Sequence, residues 1–141
     1  MKQQVVLSIQ GRQSYQQQDP EVIELVTEGT LEQKGDAWEL CYEESALTGL
    51  EGVTTSFLIE EGKITLTRSG RLNSQMVFVE GVPHDSLYQV EFGALMITVC
   101  ANRIIANISN AGGMIDLIYS IEIEQTAAGM IDYHLEITPK I

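Results

Sequence analysis

Arg68 has the residue type and the position that most clearly point to binding chemistry. It follows Ile64 and Leu66 on one face of a predicted strand, in which alternate residues share a face. A guanidinium on an apolar face is a fixed fork of donors that binds a carboxylate or a phosphate. The alternative is a structural ion pair with Glu44 or Glu80, since each of these carboxylates also ends an apolar strand face.

A binding site around Arg68 would take its walls from neighbouring strands. Tyr42 precedes Glu44 on one predicted strand face, and Met76 and Phe78 share another. Aromatic and methionine side chains fill cores by default, so a packed interior is the competing interpretation. The sequence therefore predicts a site for a small, partly apolar ligand, formed by Arg68, Glu44, Tyr42, Met76 and Phe78.

An enzymatic alternative requires Glu44, Arg68 and His84 to converge within hydrogen-bond reach of one reacting bond. Glu43 and Glu44 cannot serve as a catalytic pair, because neighbours in a strand face opposite sides of the sheet. No serine has the GxSxG setting of a hydrolase nucleophile. The glycine-containing turns at residues 48–52 and at Gly112-Gly113 do not match a phosphate-binding loop. The sequence thus favours a protein that is not an enzyme, and no catalytic residue is assigned.

The histidines and cysteines offer no metal-binding spacing. Four polar residues are expected to share the solvent-facing side of two paired strands: Asp116, Asp132, His134 and Glu136. A metal site needs three or four convergent ligands, so we expect an ordinary polar surface there, with no metal and no cofactor. Cys41 and Cys100 lack a CxxC or Cys/His pattern and are expected to be reduced thiols, as is typical of a cytoplasmic protein.

Composition and charge exclude several classes of partner. The chain has 141 residues, of which 44% are apolar, and this suffices for one domain over residues 1–141 with its own core. Its 20 acidic residues against 8 lysines and arginines give a net charge of -12, which argues against nucleic acid and anionic membrane surfaces. The residues show no signal-peptide pattern and no run of transmembrane length, so a cytoplasmic location is expected.

Alternating apolar and polar residues predict strands along most of the chain. The stretch from Trp38 to Gly81 has the pattern of four strands separated by glycine-bearing turns. Residues 21–33 are also assigned to a strand, because β-branched residues outweigh a competing helical period. The connections predicted later in the chain are a loop over residues 82–86, a hairpin corner at Asn102-Arg103 and a turn over residues 126–129.

The predicted fold is all-β, a single antiparallel meander closed into a β-barrel of roughly 8–10 strands. Closure is expected because it removes the exposed edges of so long a meander. A barrel of about this size is either filled by side chains or holds one small ligand. If the barrel is filled, the alternative function is a structural or protein-interaction module that acts as a homodimer through its last two strands.

Motifs spread over nearly the whole chain match those of a known family in order and spacing. They are Tyr42-Glu43-Glu44-Ser45, Leu47-Thr48-Gly49, Gly52-Val53-Thr54-Thr55, Arg68-Ser69-Gly70, Ser74-Gln75-Met76-Val77-Phe78, Phe92-Gly93 and Gly112-Gly113 before Tyr119. On these residues the chain resembles the YwiB-like family of uncharacterised bacterial proteins. The resemblance implies a calycin-like, lipocalin-like barrel in a bacterial cytoplasmic protein, with no catalytic residue to carry over. The chain departs from the family at Val90-Glu91, where a small hydroxylated residue is expected, and this bears only on local strand packing.

Overall fold

The computed structural model describes residues 2–14, 21–45, 51–90 and 93–140, with the backbone alone described for Tyr88, Val90 and Ala127. Within these residues the regular secondary structure consists of ten β-strands. In chain order they are β1 (Gln3–Ser14), β2 (Glu21–Lys34), β3 (Ala37–Glu43), β4 (Val53–Glu60), β5 (Lys63–Gly70), β6 (Ser74–Phe78), β7 (Pro83–Val90), β8 (Gly93–Ser109), β9 (Gly112–Ile123) and β10 (Thr126–Pro139). No helix in the described part of the chain is long and apolar enough to span a membrane.

The ten strands form one sheet, in which all neighbours except β1 and β10 are also neighbours in the chain. Pairing of β1 with β10 joins the two ends of the chain, and every pairing is antiparallel. The edge strands β6 and β7 meet across a gap that we call the seam. Asn73 and Gln89 exchange backbone hydrogen bonds of 3.1 and 2.9 Å at one end of the seam, and the Val82 N–H donates to the Val79 carbonyl at 3.0 Å at the other. The chain is therefore a nearly closed β-barrel, which confirms the predicted fold.

Inward-facing side chains of β3 to β6 stack in rungs, each rung being a set of residues paired laterally across adjacent strands. The first two rungs are Trp38, Ile59, Ile64 and Phe78, then Leu40, Phe57, Leu66 and Met76. All of these residues except Trp38 are at most 5% exposed. Because alternate residues of a strand share a face, the period-two pattern of the sequence builds these layers directly. The two rungs fill the end of the barrel at which the β2–β3 and β4–β5 hairpins lie.

The loop predicted over residues 82–86 is wrong, because β7 begins at Pro83. Pro83 pairs with Cys100, and the pairing continues to Val90 opposite Gly93. Proline is tolerated at the first residue of an edge strand, where the missing N–H is not needed for the ladder. The polar, proline-containing composition therefore conceals a strand.

The hairpin corner predicted at Asn102-Arg103 is also wrong, because the chain continues through it as β8, a strand of 17 residues. Ala101 and Arg103 pair with consecutive residues of β9, so Asn102 is the extra residue of a β-bulge. A bulge bends a strand and increases its twist without ending it. Asn102 and Arg103, which are typical of a turn, lie instead at a bend in the barrel wall.

The turn predicted over residues 126–129 lies earlier in the chain. Only Glu124 and Gln125 separate β9 from β10, and both have positive φ, 52° and 67°. Two consecutive residues with positive φ give a hairpin turn whose twist matches that of the flanking strands. The interval between Ala127 and Gly129 is instead a register shift inside β10.

Candidate functional site

The other end of the barrel is hollow. The C-terminal ends of β1, β3, β5, β7 and β9 lie at this end, which we call the mouth. A cavity of about 400 Å³ lies inside it. Its apolar wall comes from strands β1, β2, β8, β9 and β10 and includes Ile9, Ile23, Leu25, Leu95, Ile97, Ile121, Ile123 and Ile131.

The opposite wall becomes polar one layer above the filled end. Four polar residues are lateral partners across β3, β4, β5 and β6, and we call them the polar rung: Tyr42, Thr55, Arg68 and Ser74. Each lies two residues along its strand from a member of the apolar rung below. The strand alternation that buries the apolar layers therefore also turns these four side chains inward.

Glu44 follows β3 and has a buried side chain at the edge of the polar rung. Its Oε2 accepts a hydrogen bond from Thr55 Oγ1 at 2.5 Å, and the Tyr42 hydroxyl also hydrogen-bonds to it. The Tyr42 hydroxyl lies 3.3 Å from the hydroxyl of Tyr133 on β10. The Glu44 carboxylate is thus already bound by donors of the protein, in a network that joins β3 and β4 to the last strand.

The two phenols of this network are neutral near neutral pH. Burial, followed by the negative charge of Glu44, raises the pKa of Tyr42 to about 12. Burial likewise raises the pKa of Tyr133 well above its ordinary value. Both hydroxyls therefore act as hydrogen-bonding groups and not as bases.

Two neighbouring members of the polar rung have buried polar atoms without partners. Arg68 Nε and Ser74 Oγ are inaccessible to solvent and make no hydrogen bond to any residue that the structure describes. Ser74 as a whole is only 7% exposed. The two residues are paired directly across β5 and β6, so their Cβ atoms lie about 5 Å apart. Buried polar atoms without a partner cost free energy, and of these two residues Arg68 is the one that lines the cavity.

The structure brings four of the five predicted site residues together. The four that line the cavity are Arg68, Glu44, Tyr42 and Met76. Phe78 does not line it, because its fully buried ring packs in the filled end against Tyr119, with ring centroids 4.6 Å apart. Phe78 therefore supports the floor beneath the site and has no surface to offer a ligand.

Neither Glu80 nor His84 lines the cavity. Glu80 Oε1 accepts the backbone N–H of Ile104 at 2.8 Å, beside the β8 bulge, which is a different role from the ion pair with Arg68 considered above. His84 lies near the start of β7, away from the mouth, and its buried Nδ1 has no hydrogen-bond partner within the described ranges. The cavity thus contains Glu44 and Arg68 but not His84, so the three residues of the enzymatic alternative do not converge there.

Tyr133 lines the cavity, and Thr55 and Ser74 adjoin it in the polar rung, but none of the three is among the site residues predicted from the sequence. Thr55 and Ser74 follow from Arg68 once the hairpin register is known, since they are its two lateral partners. Tyr133 is 91 residues from Tyr42, and no local pattern connects the two. Only the closure of β10 against β1 brings Tyr133 to the site.

On the outer face of β9 and β10, His134 lies between two carboxylates. Its Nδ1 is 2.8 Å from Asp116 Oδ1, and its Nε2 is 3.2 Å from Glu136 Oε1. These hydrogen bonds, that of Asp116 first, raise the pKa of His134 above its ordinary value. No group of three or more potential ligands that could hold a metal ion occurs within the described residues. Cys41 and Cys100 are free cysteines.

Comparisons with known proteins agree with this architecture. A family model described as "Domain of unknown function (DUF1934)" matches residues 7–137. The chain is similar to the crystal structure of ywiB protein from Bacillus subtilis, with a TM-score of 0.89 and 21% sequence identity over 99% of this chain and 94% of that one. No curated protein matches the chain. The two matches confirm the resemblance to the YwiB-like family and the barrel fold, while Glu91, at the departure from the family pattern, lies outside the described residues.

Proposed function

The chain belongs to the family described as a domain of unknown function (DUF1934), and we propose that its barrel binds a small, partly apolar ligand in the cavity at the mouth. Arg68 is the polar anchor of this ligand, and the protein is a binding module that does no chemistry on it. One observation carries the proposal: a cavity with apolar walls is lined by Arg68, whose buried Nε no described residue satisfies.

The cavity has the size and composition of a small-molecule site. Its volume of about 400 Å³ falls within the roughly 300–1,000 Å³ of typical ligand pockets. Such pockets combine apolar walls with a few polar groups that fix the orientation of the ligand. Here the aliphatic side chains of β8, β9 and β10 would pack against the ligand body, and the polar rung would bind its head.

Glu44 supports the anchor without competing for the ligand. Its carboxylate is engaged by Thr55 and Tyr42, which holds Glu44 in place in the wall of the cavity. Arg68 is the neighbouring group that still offers a buried donor. Met76, one layer below Ser74, contributes an apolar and flexible floor that adapts to the shape of the ligand.

Native mass spectrometry of gently purified protein tests the proposal. We expect a mass excess that disappears on denaturation in the wild type and is lost in Arg68→Met. Lys63→Met is the matched control, because Lys63 lies on the same strand, is exposed and carries the same charge. A mass excess that survives unchanged in Arg68→Met would show that Arg68 is not the anchor.

The homodimer expected as an alternative remains a prediction, and the same spectra report on it. The outward residues of β10 include Asp132, His134 and Glu136, so the face in question is polar and charged. A dimer that persists on dilution and carries no small molecule would favour the interaction module over the binding module.

A further inference from the structure

We propose that the ligand is a monocarboxylate with an aliphatic body, and that its carboxylate accepts hydrogen bonds from Arg68 and Ser74 together. This assignment rests on the proposed function and adds the chemistry of the head group and its orientation. Ser74, the direct lateral partner of Arg68, does not line the cavity of the ligand-free barrel, so its hydroxyl joins the binding site through a side-chain rotation when the ligand binds.

The unpartnered groups of the polar rung are hydrogen-bond donors. Arg68 has only donors, and the Ser74 hydroxyl can donate as well as accept. Both atoms are buried without a partner among the described residues, and the two side chains are adjacent across β5 and β6. A carboxylate offers two acceptor oxygens to two neighbouring donors and also neutralises the guanidinium. An alcohol offers one oxygen and no charge, so it would satisfy this pair less well.

The charge of the cavity favours a monoanion over a phosphate. Arg68 is the only basic residue and Glu44 the only acidic residue among the described residues that line it. The charges of Arg68, Glu44 and a bound carboxylate sum to one negative charge. With a phosphate monoester in place of the carboxylate the sum would be close to two negative charges. Uncompensated charge is unfavourable in an interior of low polarity, and the net charge of -12 on the whole chain opposes a further anion.

A cationic head group fits the site less well than an anionic one. Glu44 is the only acidic residue among the described residues of the cavity wall, and its Oε2 already accepts a hydrogen bond from Thr55 at 2.5 Å. The Tyr42 hydroxyl also binds this carboxylate. An ammonium group would in addition lie close to the Arg68 guanidinium, which repels it.

The shape of the cavity places the head at the polar rung and the body toward the mouth. Along β9 the lining runs from Tyr119 to Ile123, which are four residues apart along the strand and so separated by about 13 Å. Leu95 and Ile123 lie at the mouth and are 42% and 37% exposed, which leaves apolar surface for a ligand chain to cover. A chain of medium length would run along this wall with its far end at the open mouth.

Isothermal titration with decanoate, decanol and decyl phosphate tests the head group at one pH and one ionic strength. Decanoate should bind the wild type at least about tenfold more tightly than either of the others, because only it pairs fully with Arg68 and Ser74. Ser74→Ala should lower the affinity for decanoate, and Arg68→Met should abolish its advantage over decanol. Arg68→Lys keeps the positive charge but lacks the planar guanidinium, so its affinity for decanoate should lie between those of the wild type and Arg68→Met. This variant preserves the test if Arg68→Met does not fold.

Ser69→Ala is the matched control, because Ser69 lies next to Arg68 in β5 but is exposed, so this variant should bind decanoate like the wild type. Equal affinities of the wild type for decanoate and decanol, or tighter binding of decyl phosphate, would overturn the carboxylate assignment and leave the proposed function standing. Unchanged affinity in Ser74→Ala would remove Ser74 from the site. Failure of all three probes to bind the folded wild type would overturn the proposed function itself.

Discussion

Two hydroxyl groups of the polar rung are used in opposite ways. Thr55 Oγ1 donates to Glu44, whereas Ser74 Oγ has no partner among the residues described. Both residues are buried and both face the interior. A buried hydroxyl that is hydrogen-bonded stabilises the fold, and one that is not costs free energy. The hydroxyl of Thr55 therefore stabilises the fold, whereas the unpaired hydroxyl of Ser74 is explained by a bound ligand that hydrogen-bonds to it.

Substitution of these two hydroxyls should therefore change stability in opposite directions. In the absence of ligand, Ser74→Ala should raise the free energy of unfolding by about 1 kcal/mol, which raises the midpoint temperature of thermal unfolding by roughly 4 °C. Thr55→Ala should lower the free energy by about 1.5–3 kcal/mol, because it removes a hydrogen bond to a buried carboxylate. Thermal and denaturant unfolding of the ligand-free variants measure both effects. A loss of stability in Ser74→Ala equal to that in Thr55→Ala would contradict the account of Ser74.

His134 should make stability depend on pH. Its folded pKa is raised, first by the hydrogen bond to Asp116, above an unfolded value of about 6.5. The resulting stabilisation is fully present below the unfolded pKa and is lost as the pH rises through the folded pKa. An NMR titration should show His134 titrating above its ordinary range, and Asp116→Asn should return it toward that range. Asp132→Asn, on the same strand, should have little effect, and an unshifted His134 in the wild type would contradict the predicted hydrogen bonds.

At the scale of strands, the seam between β6 and β7 is the least connected part of the barrel wall. The described backbone shows hydrogen bonds near its two ends, between Asn73 and Gln89 and from Val82 to Val79. Between these points β6 pairs only with β5, and β7 only with β8. Strand edges without cross-strand hydrogen bonds open at a lower free energy than paired strands. The seam is therefore the place at which the wall should open first.

Hydrogen exchange should locate this opening. Amide hydrogens of β6 and β7 that point into the seam should exchange faster than those of β9, which is paired on both sides. Gln89→Pro removes the N–H that donates to Asn73 at 2.9 Å and should accelerate exchange along the seam by about tenfold. Gln89→Ala keeps this N–H and serves as the matched control. Equal protection of the seam and β9 in the wild type would show that the seam does not open separately.

Individual strands were predictable where the local pattern is sufficient. Alternation alone places Arg68 on the same face as Ile64 and Leu66, and the register of the structure agrees. It could not identify Asn102 as a bulge or Pro83 as the start of a strand, because both depend on the partner strand. A loop and a curved or edge strand can both contain polar residues and proline, so amino-acid composition alone does not distinguish them.

At the scale of the whole molecule, the number of strands and the closure of the barrel were predictable, but its hollow end was not. A meander of about ten strands is expected to close, since closure removes exposed edges. Whether the interior is filled depends on strand tilt and on contacts such as that of Tyr42 with Tyr133, 91 residues apart. The structure fills one end with apolar rungs and leaves about 400 Å³ at the other. The candidate site thus depends on closure of the barrel, whereas the inward direction of the polar-rung side chains follows from strand alternation.

A crystal structure of the protein with decanoate tests the central claim most directly. The account predicts electron density for the ligand inside the mouth cavity, with its chain along β9. Its carboxylate oxygens should lie about 2.7–2.9 Å from Arg68 Nε and Ser74 Oγ. Ordered water on both atoms, with decanoate absent from the cavity or bound elsewhere on the surface, would contradict it.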